Sequence, residues 1–189
     1  MSSSNELWLV RHGETEWSLS GAHTSRTDLP LTPEGERRAT AVGKVLSAQK
    51  FALVLSSPMK RARETARLAG CQPEITDDLR EWDYGEYEGL TTVQIQQQTP
   101  GWTIWTMTPK GGESADQVAA RADRVIARAA AAPGDVALFS HGHMLRVLAA
   151  RWLGIDPQGG RFFELGTASI SILSHEHTTR VIRVWNSGV

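Results

Sequence analysis

The stretch LWLVRHG, residues 7 to 13, decides how the rest of the chain is read. Its first four residues are apolar without interruption, the pattern of a strand buried on both faces in a parallel sheet. It then stops on Arg11, His12 and Gly13. Basic side chains at a strand end often just meet solvent. In open α/β sheets, however, the carboxyl ends of the strands are where ligands bind. The arrangement recurs in DVALFSHG, residues 135 to 142, where a second apolar run stops at His141 and Gly142. If both strands run parallel at the sheet centre, their ends share one edge and the two imidazoles can meet.

Helical patterns and further strands alternate around these runs. LTPEGERRATAVGKVLSAQ offers Thr32 as N-cap, Pro33 at the first helical position, and Ala39, Val42 and Leu46 on one face. FALVLSS, residues 51 to 57, is another buried strand, and Pro58 opens the helix PMKRARETARLAG, closed by Gly70. A short strand is expected over 72–75 and a helix over 92–98. Ser114 caps a helix whose stripe is Val118, Ala122, Val125, Ile126 and Ala129. A helix follows Gly142, and strands near 168–173 and 180–185 finish the chain. This alternation predicts a three-layer αβα sandwich: a mainly parallel central sheet, helices on both faces, and an antiparallel edge from the terminal strands. No repeat or linker divides the sequence, so residues 1–189 are read as a single domain.

The bulk composition narrows the function. Hydrophobic residues make up 40% of 189, and the formal net charge is -1, so no global field draws the chain to nucleic acid or to an anionic membrane. Four Lys stand against sixteen Arg; arginine is the better bidentate partner for phosphate and carboxylate. Cys71 is the lone cysteine, the N-terminal MSSSNE lacks an apolar signal region, and no apolar run approaches the ~20 residues of a membrane span. The expectation is a cytoplasmic protein.

Three further pieces accompany Arg11-His12-Gly13: SSPMKRARETA at 56–66, LREWDYGEYEG at 79–89 and SHGHMLR at 140–146. Together, and in this order, they resemble the histidine phosphatase superfamily, which includes cofactor-dependent phosphoglycerate mutases and many small-molecule phosphatases. The resemblance implies that His12 is the nucleophile, taking the phosphoryl group on Nε2. It implies that Arg11, Arg61 and His141 grip the phosphoryl oxygens and that Glu81 gives and takes the proton. It points to Ser18, Thr24, Ser25, Tyr84 and Gly142 as the substrate-binding set.

The chemistry suits these residue types. Phosphoryl transfer asks for positioning and for positive charge around the equatorial oxygens. A neutral imidazole can attack once a backbone carbonyl holds its other nitrogen's proton. A carboxyl must protonate a high-pKa alkoxide as it leaves, and can then activate water. No metal and no cofactor is called for; His175 and His177, although spaced H-x-H, read as solvated imidazoles. His143 and Arg146 read as supporting residues, and Trp17, Trp82, Trp102 and Trp105 as packing around the site.

Ser18 departs from the asparagine usual in the resembled mutases, Ser25 from their glycine. The segment from Leu90 to Gly112 lacks their adjacent arginine pair. The expected activity is therefore metal-independent hydrolysis of a phosphomonoester through a phosphohistidine. The substrate class is a small phosphorylated metabolite, a sugar or sugar-acid phosphate, as in sedoheptulose-1,7-bisphosphatase-like and bacterial acid phosphatase members. The alternatives are a mutase-type phosphotransferase and, more remotely, a phosphoprotein phosphatase or a non-catalytic phosphate-binding module. The expected partner is a small-molecule phosphate ester, with a homodimer allowed.

Overall fold

The computed structural model describes residues 5–189. In chain order the strands are β1 (Leu7–Arg11), β2 (Leu53–Ser56), β3 (Glu74–Ile75), β4 (Val136–Ser140), β5 (Ile170–Glu176) and β6 (Thr179–Ser187). They form one sheet in the order β3-β2-β4-β1-β5-β6. The first four pair in parallel, while β5 runs antiparallel to β1 and β6 antiparallel to β5. The expected sandwich, with its antiparallel edge, is the observed one. β1 and β4 are central neighbours, and their register sets Arg11 opposite Ser140, so the two His-Gly steps leave the sheet level with each other.

The helices are α1 (Glu16–Ser20), α2 (Pro33–Leu46), α3 (Lys60–Leu68), α4 (Thr92–Gln98), α5 (Ala115–Ala130) and α6 (Gly142–Trp152). Alternation along β1 explains its uninterrupted apolar run. Leu7 and Leu9 face a core shared with α5 and α6, whereas Trp8 and Val10 face a second core shared with α2 and α3. Every side chain of β1 before Arg11 therefore needs an apolar partner. Among the described residues no helix is long and apolar enough to cross a membrane.

Several details differ from the sequence expectation. The helix after β2 begins at Lys60 rather than at Pro58, because Ser57 Oγ accepts the Met59 N–H (3.3 Å) and holds Met59 extended as the cap. Helix α1 was not expected; a reciprocal capping box between Thr15 and Ser18 builds it in a stretch without apolar periodicity. His175 is half-buried rather than solvated, its ring 4.9 Å from that of Trp152.

Candidate active site

Where β1 ends, the His12 N–H still bonds to the Ser140 carbonyl (2.9 Å), so strand pairing carries the nucleophile candidate to the edge of β4. The His12 and His141 rings meet edge-on, with centroids 5.1 Å apart. His12 Nδ1 lies 2.7 Å from the Gly13 carbonyl oxygen. That oxygen can only accept, so Nδ1 carries the proton and Nε2 is left as a bare lone pair. Burial holds the His12 pKa well below its ordinary value, and Arg61 and Arg11 push the same way against the Gly13 bond. The ring is neutral at pH 7.

Arg61 and His141 lie behind His12, both fully buried. Arg61 Nε donates to His141 Nδ1 (3.2 Å), which obliges His141 Nε2 to carry the proton that it gives to Ser57 Oγ (2.8 Å). The rest of the Arg61 guanidinium donates to the Thr27, Thr24 and Ser25 carbonyls at 2.9, 3.1 and 3.3 Å, pinning the loop above. His141 is thus neutral too, its pKa lowered by burial first and then by Arg61. Thr65 ties this layer to β1, accepting the Gly13 N–H (2.9 Å) and donating to the Arg61 carbonyl (2.7 Å).

Glu81 reaches the same place from an irregular loop. Its carboxylate accepts the N–H groups of Trp82 (2.9 Å), His143 (3.0 Å) and Met144 (2.8 Å). The last two belong to the first turn of α6, whose own N-cap, His141, makes no side-chain cap. Glu81 supplies that cap from a distant segment, at the positive end of the helix dipole. Arg121 fixes the loop: it donates to the Asp78, Arg80 and Glu81 carbonyls and pairs with Glu113 at 2.7 Å. The apolar stripe of α5 gave no hint of this clamp, because Arg121 lies off it.

A cleft of about 170 Å³ opens on these groups. Arg11, His12 and Glu81 line it together with Trp17, His23, Tyr84, His143 and Arg146. Arg11 Nη1 donates to the Leu165 carbonyl (2.5 Å), while its buried Nε has no partner. Of the expected substrate-binding set, Ser18, Thr24, Tyr84 and Gly142 line the cleft. The Ser18 hydroxyl, though, is engaged inside its capping box, accepting from the Thr15 N–H and donating to the Thr15 carbonyl, both at 2.8 Å. Ser25 does not line the cleft. Its N–H and hydroxyl bond to Glu88 instead, which also accepts the Thr27 N–H and so fastens the loop from the far side. Tyr84 O–H and His143 Nδ1 are 2.7 Å apart. Trp82, Trp102 and Trp105 are buried in the core, and Trp17 alone of the four flagged indoles lines the cleft. Thr15, His23 and Leu165 also line it and went unflagged by motif reading, being residues whose role depends on the loops that carry them.

Comparison with known proteins gives the family. Residues 7–188 match the model of the histidine phosphatase superfamily (branch 1). The chain is 42% identical over 185 residues to an acid phosphatase of Mycobacterium tuberculosis, covering 95% of this chain and 91% of that one. It is 36% identical to the sedoheptulose 1,7-bisphosphatase of Saccharomyces cerevisiae, covering 79% of this chain and 68% of the relative. A solved structure of an open reading frame from Mycobacterium tuberculosis superposes with a TM-score of 0.93 at 40% identity, covering 97% and 98% of the two chains. With family, fold and cleft in agreement, this chain belongs to the histidine phosphatase superfamily, and within it to the phosphatases.

Proposed function

We propose that the enzyme hydrolyses small phosphomonoesters, sugar or sugar-acid phosphates, by way of a phosphohistidine on His12. One observation carries the reading. The Gly13 carbonyl holds the proton of His12 Nδ1 at 2.7 Å, which leaves Nε2 unprotonated in the cleft that Arg11 and Glu81 also line. Nε2 forms the bond to phosphorus as the ester P–O bond breaks, and Glu81, which enters this step as the carboxylic acid, gives its proton to the departing alkoxide and becomes the carboxylate. Water then attacks the phosphohistidine, loses its proton to Glu81, and releases inorganic phosphate and a free imidazole.

Arg11 is the direct partner of the phosphoryl oxygens, since its side chain lines the cleft beside His12. Arg61, placed behind the nucleophile, acts on it through its charge, and the neutral His141 by position. The scheme draws its positive charge from side chains and calls for no metal. A small polar cleft beside Trp17, His23 and Tyr84 supports a sugar-like ester, as does the likeness to a sedoheptulose bisphosphatase. The lone Cys71 and the residue composition favour the cytoplasm.

Rapid acid-free quenching of enzyme with labelled substrate tests the mechanism. Label on His12 is the expected result; label elsewhere, or none, overturns it. Interconversion of phosphoglycerate isomers faster than phosphate release would instead indicate a mutase.

A further inference from the structure

The proton on His12 Nδ1 is held by the carbonyl of Gly13 at 2.7 Å, and glycine is the residue least able to fix its own backbone. That carbonyl needs outside holds to stay aimed at the ring, and they stand on both sides of the Gly13 Cα. On the amino side, the His12 carbonyl accepts the Ala168 N–H (3.0 Å) and the Gly13 N–H donates to Thr65 Oγ1 (2.9 Å). On the carboxyl side, the Glu14 carbonyl accepts the Thr32 N–H (2.9 Å), and Gly35 presses close. A Cβ on Gly13 would come within 2.7 Å of the Gly35 carbonyl oxygen, and one on Gly35 within 2.3 Å of the Glu14 carbonyl oxygen. Of these holds, that of Thr65 alone comes from a side chain.

Thr65 is fully buried on α3. Its hydroxyl has one proton, which goes to the Arg61 carbonyl one turn back (2.7 Å). Oγ1 therefore meets Gly13 as an acceptor and is not free to turn round and donate. One oxygen thus joins the backbone of the His12 segment to that of Arg61, whose guanidinium stands behind the ring. Ala168 shows that the surroundings, not the chain itself, set this geometry. It is buried, has φ +52, and shares its N–H between the Arg11 and His12 carbonyls at 3.2 and 3.0 Å. A residue with a Cβ takes that conformation only when its neighbours impose it. Without the Thr65 oxygen the Gly13 N–H would be buried and unpaired, which a glycine backbone relieves by rotating. Rotation carries the Gly13 carbonyl off Nδ1 and frees the ring to take the other tautomer, with its proton on Nε2.

We propose that Thr65 is a positioning residue: by holding the Gly13 N–H it keeps the Gly13 carbonyl on His12 Nδ1 and leaves Nε2 unprotonated. Thr65 does not itself line the cleft. Its effect on turnover rests on the reading of His12 as the nucleophile; its effect on the ring does not.

Thr65→Val keeps the shape and removes the hydroxyl, whereas Thr65→Ser keeps the hydroxyl. Two measurements compare them with the wild type. One is steady-state turnover of an alkyl phosphate. The other is long-range proton–nitrogen NMR of enzyme isotopically labelled in its histidines, at neutral pH, which tells a protonated Nδ1 from a protonated Nε2. The His12 signals are those lost in His12→Ala. The wild type is expected to show His12 protonated on Nδ1 alone. In Thr65→Val the Nε2-protonated form should appear and kcat should fall about tenfold or more, the cost of misplacing a reacting group. KM should change less than about twofold, since the cleft keeps its lining. Thr65→Ser should return both readings toward the wild type. Folded Thr65→Val with wild-type ring signals overturns the proposal, whatever its turnover or melting temperature. So do altered signals at wild-type kcat, a loss in Thr65→Ser equal to that in Thr65→Val, or a wild-type ring already protonated on Nε2. If Thr65→Val does not fold, Thr65→Cys, whose sulfur is a weak acceptor, takes its place with the same outcomes. Altered ring signals in Thr65→Val, with no label on His12 in the quench experiment, would sink the phosphohistidine and leave the hold of Thr65 on the ring standing.

Discussion

Glu81 caps the helix that His141 opens. Its carboxylate accepts the N–H groups of His143 and Met144 while the His141 side chain turns back to Ser57 Oγ. One carboxyl therefore closes a helix end and, in the proposed reaction, also moves the proton, and substitutions separate the two duties. Glu81→Gln keeps an acceptor for the helix, so its stability cost should stay near that of a weakened cap, about 1 kcal/mol. Its turnover of alkyl phosphates should fall at least a hundredfold, with a much smaller fall on p-nitrophenyl phosphate, whose leaving group departs without a proton. Kinetics on the two esters check this; equal losses would reduce Glu81 to its structural duty.

His12→Ala removes the nitrogen proposed to attack phosphorus. Turnover should drop by about three orders of magnitude or more, as expected when a nucleophile is deleted. The fold should persist, since His12 lies at a strand end and, among the described residues, its ring makes a single hydrogen bond, to Gly13. Circular dichroism and a thermal melt would show a native protein. Appreciable residual turnover would move the nucleophile elsewhere.

The buried imidazoles give the enzyme an acid limit. His12, His141 and His143 all have pKa values well below 6.5, with burial the first cause in each. The unfolded chain, with ordinary histidines, binds protons as pH falls through 6.5 while the folded chain does not. Unfolding free energy thus rises with pH in that window and falls on acidification. Each such histidine can remove up to about 1.4 kcal/mol per pH unit below 6.5, until its folded pKa is reached. Melting temperature should be flat between pH 7 and 8 and decline below 6.5. The acid limb of kcat/KM should lie below the ordinary histidine pKa, because Nε2 must be unprotonated to attack. A limb at or above 6.5 would contradict the neutral, buried His12.

What the sequence disclosed follows from how local each signal is. The Thr32 and Ser114 caps and the stripe of α5 are read within a few residues, and α2 and α5 begin where those caps place them. The pairing of His12 with His141 was legible because two strand ends carry the same short signature, and parallel register does the rest. The bonds that set Glu81 in place were not. They join residues 62 and 63 positions apart, and Arg121 clamps the loop across 40 to 43 more. Ser25 illustrates the same limit: nothing near it announces that Glu88 takes its hydroxyl.

Gly85 shows how the motif around Glu81 is enforced by backbone rather than by chemistry. It follows Tyr84 directly, has φ +53, and a Cβ there would come within 2.2 Å of the Lys110 carbonyl oxygen and 2.5 Å of the Gly112 nitrogen. Both the left-handed backbone and the close approach of a second chain segment exclude a side chain. Gly85→Ala must push the 110–112 turn away, and that turn leads through Glu113 to Arg121 and so to the Glu81 loop. The expected cost is about 2–4 kcal/mol, the sum of an overpacking term and a strained φ. Because the displacement passes to the Glu81 loop, turnover of alkyl phosphates should fall in the protein that still folds. Urea unfolding measures the first effect and assay well below the midpoint the second. A Gly85→Ala protein of wild-type stability would mean that the turn yields freely, and that glycine at this position has no steric reason.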